Sequence, residues 1–150
     1  MIARYTVLVI SCILLWAIVQ ILRTIWGGAH AIAGALLLLI LPQYLVLSVS
    51  VMRGLPAIAF AMVSLFMLVK WHYSRKYAWL LLSAIALAIS VVIKLFTGFL
   101  APIFVIGILA FEYFGREQKL KWYQYFLPAF IWGFVFSTSL LIAGLTLVGP

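Results

Sequence analysis

Two basic side chains stand out in a chain with few groups that could do chemistry. Lys94 lies inside the almost wholly apolar run 88-AISVVIKLFTGFLAP-102, and Arg53 lies in the short segment 50-SVMRGLP-56. A compact ammonium and a planar guanidinium both suit a phosphate group. The simpler alternative for Lys94 is that its stem runs along lipid while the ammonium reaches the headgroups. The two residues together are therefore a candidate anion site.

The acidic and imidazole groups are too few for most catalytic arrangements. The chain has two acids, Glu112 and Glu117, no aspartate, and two histidines, His30 and His72. We expect Glu117 to be a solvated loop charge and Glu112 to reach water or a basic neighbour. The histidines are far apart in sequence and lack cysteine or acid at ligand spacing, whereas a metal site needs about three or four convergent ligands. The sequence therefore predicts neither a metal site nor a cofactor.

The composition shows what kind of elements must position these groups. The 150 residues are 69% hydrophobic and 8% charged, whereas soluble domains are roughly 45–50% apolar and about 25% charged. A soluble fold of this size would expose large apolar patches. The net charge of +8 comes from basic residues between apolar segments, which does not resemble the basic stripe of a nucleic-acid partner. We therefore predict one integral-membrane domain over residues 1–150, surrounded by membrane lipid.

Six apolar segments are long enough, or nearly so, to cross a bilayer, which takes about 20 residues per helix. Helices are expected because an open strand in lipid would leave backbone polar groups unsatisfied. The sequence thus predicts an all-α, polytopic transmembrane bundle of about six spans, of which the third and fourth are short. The expected spans are residues 5–22, 31–50, 55–70, 77–93, 97–114 and 125–147.

The basic residues divide unequally between the two sides of such a bundle. Seven of the ten fall on one side and three on the other. Because cytoplasmic loops carry the excess of Lys and Arg, the basic loops 70–76 and 116–121 are predicted to be cytoplasmic. Lys94 and Arg53 then belong to the extracytoplasmic side. Both ends of the chain also fall there, as expected for an internal piece of a larger membrane protein.

Four features follow one another along residues 1–114. An Arg-led span ends at Arg23 before an aromatic-Gly pair, and a Leu-rich span carries a proline before an aromatic residue and a serine, 36-LLLLILPQYLVLS-48. A basic loop then opens the next span, 70-KWHYSRKYAWLLLSAIALAIS-90, and a lysine ends it, 93-IKLFTGFLAP-102. This order resembles the integral-membrane glycosyltransferases of the GT-C class. The branch it is most similar to contains protein mannosyltransferase-like and aminoarabinose-transferase-like enzymes.

The resemblance implies a multi-span helical bundle with an extracytoplasmic reacting face and a polyprenyl-phosphate sugar donor. It carries over one functional position, Lys94, as a contact to the lipid phosphate, and the charge argument adds Arg53. The catalytic aspartate of the family lies in an outer loop before the matched region, and this chain has no aspartate. We therefore expect a glycosyltransferase-like protein that is truncated or needs a membrane-protein partner. Whether the chain alone is an enzyme stays open.

Two other functional classes also stay open. A small transporter or channel subunit typically has discontinuous helices and ionisable groups near the midplane, and the break at Gly98 to Pro102 is the one hint of this. A membrane assembly subunit without chemistry would be indicated by copurification with a larger complex.

Overall fold

The computed structural model describes residues 2–42, 54–114 and 122–148. These ranges are helical and contain no strand, which confirms the predicted all-α class. The elements are α1 (Ile2–Trp26), α2 (Gly28–Ile40), α3 (Gly54–Ser74), α4 (Tyr77–Ile93), a 3-10 helix (Leu95–Phe99), α5 (Leu100–Phe114) and α6 (Trp122–Val148).

Most of the helical segments are long and apolar enough to cross a membrane. Four of them in the described ranges meet this criterion, and two shorter apolar helices, α2 and α4, accompany them. The four are Tyr5–Trp26, Gly54–Ser74, Leu95–Phe114 and Tyr125–Thr146. Many large apolar side chains on the outside of the bundle are exposed, as expected where lipid is the solvent. The chain is an integral membrane protein built as a helical bundle.

The third span differs from its prediction. The sequence placed the end of this span at residue 70 and a basic loop over 70–76, but α3 continues to Ser74. No glycine or proline interrupts residues 70–74, so nothing in the backbone ends the helix there. The helix ends where Arg75 takes a φ of 55°, in the left-handed region. The predicted loop therefore reduces to Arg75 and Lys76, and the third span is not short.

The fourth span has the predicted bounds, 77–93, and Pro102 lies in the first turn of α5. Three other predicted features lie outside the described residues. These are the end of the second span, Arg53 and the basic loop 116–121.

Helix α4 lies at the centre of the described bundle, against α3, α6 and the 3-10 helix. Leu80, Ala84 and Leu87 of α4 are completely buried, and they form one apolar cluster with Leu68 of α3 and Trp132 of α6. Helix α3 is in turn packed on its other side against α1. Small side chains such as Ala84 allow helices to approach closely in a membrane.

Buried hydrogen bonds between polar side chains join α3, α4 and α6. The Ser64 hydroxyl of α3 donates to the Ser83 carbonyl of α4 at 2.7 Å, and the two hydroxyl oxygens are 3.1 Å apart. The Trp132 indole N–H of α6 donates to the Ser83 hydroxyl at 3.4 Å. Because a polar group in an apolar interior needs a partner, these contacts favour one register of α3, α4 and α6.

Candidate functional site

The backbone at Lys94 is the point where α4 changes into the 3-10 helix. Lys94 has an extended conformation, with φ −149° and ψ 109°, and its N–H donates to the Ser90 carbonyl at 3.0 Å. Its own carbonyl accepts the N–H of Thr97 at 3.0 Å and the Thr97 hydroxyl at 2.8 Å. The lysine is therefore held by hydrogen bonds from the element before it and the element after it.

Ser90 ties this junction to α3. Its hydroxyl oxygen lies 2.6 Å from the Ala57 carbonyl oxygen and 3.0 Å from the Thr97 hydroxyl oxygen. Ser90 is completely buried and Thr97 nearly so. A short chain of hydroxyl groups thus joins the last turn of α4, the 3-10 helix and the first turn of α3.

The Lys94 ammonium lies beside the first residue of α3. A Cβ atom built on Gly54 would be 3.7 Å from the Lys94 Nζ, while the lysine side chain as a whole is exposed. The first N–H groups of a helix have no partner within the helix and carry partial positive charge. Lys94 therefore adds a full positive charge to the positive end of α3. The predicted partner Arg53 precedes Gly54 in the sequence but lies outside the described residues.

Exposed apolar side chains lie on the 3-10 helix that directly follows Lys94. Leu95, Phe96 and Phe99 of the 3-10 helix are all strongly exposed, and the two phenylalanine rings form an edge-to-face pair with centroids 5.6 Å apart. With Gly98 they line an open depression of about 490 Å³. A cation next to an open apolar surface is complementary to an amphiphile that has an anionic head.

Glu112 belongs to α5 and lies beside the carboxyl end of α3, opposite the end near Lys94. Its carboxylate is completely buried and accepts a hydrogen bond from the Arg75 guanidinium at 2.5 Å. The sequence predicted that Glu112 would reach water or a basic neighbour, and the structure confirms the basic neighbour. Glu117 lies outside the described residues.

The two histidines lie on different elements, His30 on α2 and His72 on α3. His30 is exposed, with its Nδ1 2.9 Å from the Trp26 carbonyl oxygen, and His72 packs its ring on Phe111 with centroids 4.5 Å apart. Among the residues that the structure describes, no group of three or more His, Cys, Asp or Glu could hold a metal ion.

Comparison with known protein families assigns the chain to one family. The sequence model of the family described as dolichyl-phosphate-mannose-protein mannosyltransferase matches residues 2–142. The chain belongs to this mannosyltransferase family. The match confirms the resemblance to GT-C membrane glycosyltransferases that the order of spans indicates. No curated protein sequence and no solved structure matches the chain significantly.

In this mannosyltransferase-family chain the sequence predicts Lys94 as a candidate residue, but it does not predict the residues whose hydrogen bonds hold the backbone at Lys94. Ser90 and Thr97 stand four residues before and three residues after the lysine. For Thr97 the signal is a hydroxyl residue three residues after Lys94, because its side chain can bond to the Lys94 carbonyl at the helix end. Ser90 has no such local signal, because its hydroxyl bonds to Ala57 on another helix.

Proposed function

We propose that this chain binds the phosphate of a polyprenyl-phosphate sugar donor as part of a membrane glycosyltransferase. Lys94 is the main phosphate contact and Arg53 the second. The observation that carries this proposal is the position of the Lys94 ammonium at the amino end of α3, next to Gly54.

The charges at this point favour a bound anion. A cation at the amino end of a helix is unfavourable by about 0.3–1 kcal/mol, whereas an anion there is favourable by a similar amount. A phosphate lying between the Lys94 ammonium and the first N–H groups of α3 would turn a repulsion into two attractions. Arg53, covalently joined to Gly54, would add a guanidinium, which can bind phosphate with two parallel hydrogen bonds.

The apolar surface beside Lys94 supports a lipid donor over a free sugar phosphate. Leu95, Phe96 and Phe99 are exposed on the element that directly follows the lysine. A prenyl chain leaving the phosphate would lie on these side chains and remain in contact with the bilayer. A soluble sugar phosphate would leave the same surface unused.

The distribution of charge supports an extracytoplasmic position for this site. Arg75 and Lys76 follow the carboxyl end of α3, and Lys94 stands at its amino end. The side with the excess of basic residues faces the cytoplasm by the positive-inside rule. Lys94 would then meet donors presented in the outer leaflet.

Transfer of the sugar needs a further group, which the described residues of this site do not supply. A general base normally takes the proton of the acceptor and must lie within hydrogen-bond reach of it. Of the two acids in the chain, Glu112 is buried with Arg75 beside the other end of α3, and Glu117 follows it by five residues in the sequence. We propose that the base comes from a protein segment outside these 150 residues, or from a membrane-protein partner, so that the chain alone binds donor without transferring sugar.

The test is a binding titration with the purified protein in lipid nanodiscs. The ligand is a fluorescent polyprenyl phosphate, and the variants are Lys94→Ala, Arg53→Ala and, as the control at the other end of the bundle, Lys76→Ala. A hydrogen bond to a charged group contributes about 1.5–3 kcal/mol, so Lys94→Ala should weaken binding roughly 10- to 100-fold.

Two comparisons make the result decisive. Lys76→Ala should bind as tightly as the wild type, and the matching polyprenol without phosphate should bind equally well to the wild type and to Lys94→Ala. Unchanged affinity of Lys94→Ala for the phosphate would remove the proposed role and leave Lys94 as a snorkelling lysine.

A further inference from the structure

A polar cavity lies between α1 and α3, at the end of α3 that is remote from Lys94. Its volume is about 310 Å³, within the lower range of ligand-binding clefts. Its lining residues are Gln20, Thr24, Phe66, Lys70, Tyr73 and Ser74. None of them belongs to the proposed donor site.

The cavity is the polar end of a stretch of surface along α1 and α3, which is called the groove. Two rows of side chains, each spaced by four residues and so on one face of its helix, run along α1 and α3. The rows are Trp16, Gln20 and Thr24 on α1, and Phe66, Lys70 and Ser74 on α3. The first members of the two rows touch, because the Trp16 and Phe66 rings form an edge-to-face pair with centroids 5.2 Å apart. The groove is therefore aromatic towards the middle of the helices and polar towards their ends.

Lys70 gives the polar end a positive charge. Its Nζ lies 4.5 Å from the centroid of the Trp79 ring and 5.5 Å from that of Phe66. Such contacts hold an ammonium in place, but they do not neutralise it. No acid of the described residues pairs with Lys70, since Glu112 is engaged by Arg75.

The hydrogen-bond donors of the cavity are also fixed by the helices. The Thr24 hydroxyl donates to the Gln20 carbonyl and the Ser74 hydroxyl to the Lys70 carbonyl, both at 2.7 Å. These two protons are therefore turned back into the helix backbone. The groups that can donate into the cavity are the Lys70 ammonium, the Gln20 amide and the Tyr73 hydroxyl, a set that suits an oxyanion.

We propose that this groove is a binding site for an anionic phospholipid. The headgroup phosphate accepts hydrogen bonds from Lys70, Gln20 and Tyr73, and an acyl chain follows the apolar side of the groove past Phe66 and Trp16. Basic pockets between transmembrane helices are suited to anionic headgroups, because a basic residue near the membrane surface attracts them. The site belongs to the leaflet opposite Lys94 and does not depend on the donor site.

The experiment measures lipid binding to the full chain in detergent by native mass spectrometry. The probes are phosphatidylglycerol, phosphatidylcholine of the same acyl chains, and glycerol 3-phosphate as a soluble source of the same phosphate chemistry. The variants are Lys70→Gln, Gln20→Leu and the control Lys76→Gln, whose lysine does not line the cavity.

We expect the wild type to retain phosphatidylglycerol in preference to phosphatidylcholine, and Lys70→Gln to lose about fivefold in affinity for phosphatidylglycerol only. Gln20→Leu, which keeps the charge of Lys70, should weaken binding of the same lipid to a smaller extent. The Gln20→Leu variant still tests the proposed site if Lys70→Gln does not fold. Lys76→Gln should bind like the wild type.

Three results would overturn the proposal. The first is equal retention of the two lipids by the wild type. The second is an equal loss in Lys76→Gln and Lys70→Gln, which would indicate a general basic surface. The third is displacement of phosphatidylglycerol by glycerol 3-phosphate at the same concentration, which would identify a soluble phosphate as the ligand.

Discussion

The guanidinium of Arg75 and the carboxylate of Glu112, 37 residues apart in sequence, meet at 2.5 Å. The Glu112 side chain is completely buried, and that of Arg75 is 32% exposed. The pair joins the turn between α3 and α4 to the last turn of α5. Beside it the His72 ring packs on Phe111, so two neighbouring residues of α5 are fastened to the carboxyl end of α3.

The ion pair should show strong coupling between its two members. Arg75→Met leaves a buried carboxylate without its cation and should cost about 3 kcal/mol of unfolding free energy, whereas the double variant Arg75→Met/Glu112→Leu removes both charges and should be close to the wild type. Glu112→Leu alone should cost less than Arg75→Met, because the partly exposed guanidinium can reach water. Unfolding in mixed micelles with increasing SDS measures all four proteins. Additive losses in the double variant would contradict this account.

The backbone of Arg75 gives a separate prediction. Its φ of 55° lies in the left-handed region, which costs an L-residue roughly 1–2 kcal/mol and costs glycine almost nothing. Arg75→Gly and Arg75→Ala both lose the guanidinium, so a comparison between them isolates the backbone. We expect Arg75→Gly to be about 1 kcal/mol more stable than Arg75→Ala in the same unfolding measurement. Equal stability of the two would show that the turn relaxes freely.

The sequence predicted the elements better than their contacts. The span at 77–93 was placed correctly because Lys76 and Lys94 bracket an unbroken apolar run. The sequence predicts that α3 ends too early, because Lys70 and His72 are polar and polar residues favour a loop. Both residues instead lie in the helix, which continues to Ser74. Polarity marks where a helix meets headgroups or partners. The helix ends at Ser74 because Arg75 takes a left-handed backbone conformation.

The candidate site was predictable only in part, for a related reason. Lys94 stands out as a charge within an apolar run, so composition alone finds it. The contact of its ammonium with the amino end of α3 depends on how α3 and α4 pack, and no spacing in the sequence encodes that. The sequence predicts a basic neighbour for Glu112 but not that this neighbour is Arg75, because several basic residues are available and only the fold selects among them.

Ser90 should act on donor binding through its effect on Lys94. Ser90→Ala removes a buried hydrogen bond to α3 and should cost about 1 kcal/mol of stability. It should also weaken binding of the fluorescent polyprenyl phosphate about two- to fivefold, since the junction that positions Lys94 is loosened while its charge is kept. Ser64→Ala is the matched control, because Ser64 is an equally buried serine whose hydroxyl bonds across the same two helices. If Ser64→Ala weakens binding as much as Ser90→Ala, the effect is one of general stability and Ser90 has no positioning role.

The two ends of α3 should face opposite sides of the membrane, with Lys94 outside. Cys12 is the only cysteine, so Cys12→Ser provides a background in which single reporters can be introduced at two exposed positions, Lys94→Cys and Lys76→Cys. A membrane-impermeant maleimide applied to intact cells should label Lys94→Cys and leave Lys76→Cys unlabelled until the membrane is permeabilised, because the more basic side stays in the cytoplasm. The reverse pattern would place Lys94 on the cytoplasmic side, and the donor proposed for it would then have to be presented in the inner leaflet. Labelling of both residues in intact cells would mean that the chain inserts in two orientations.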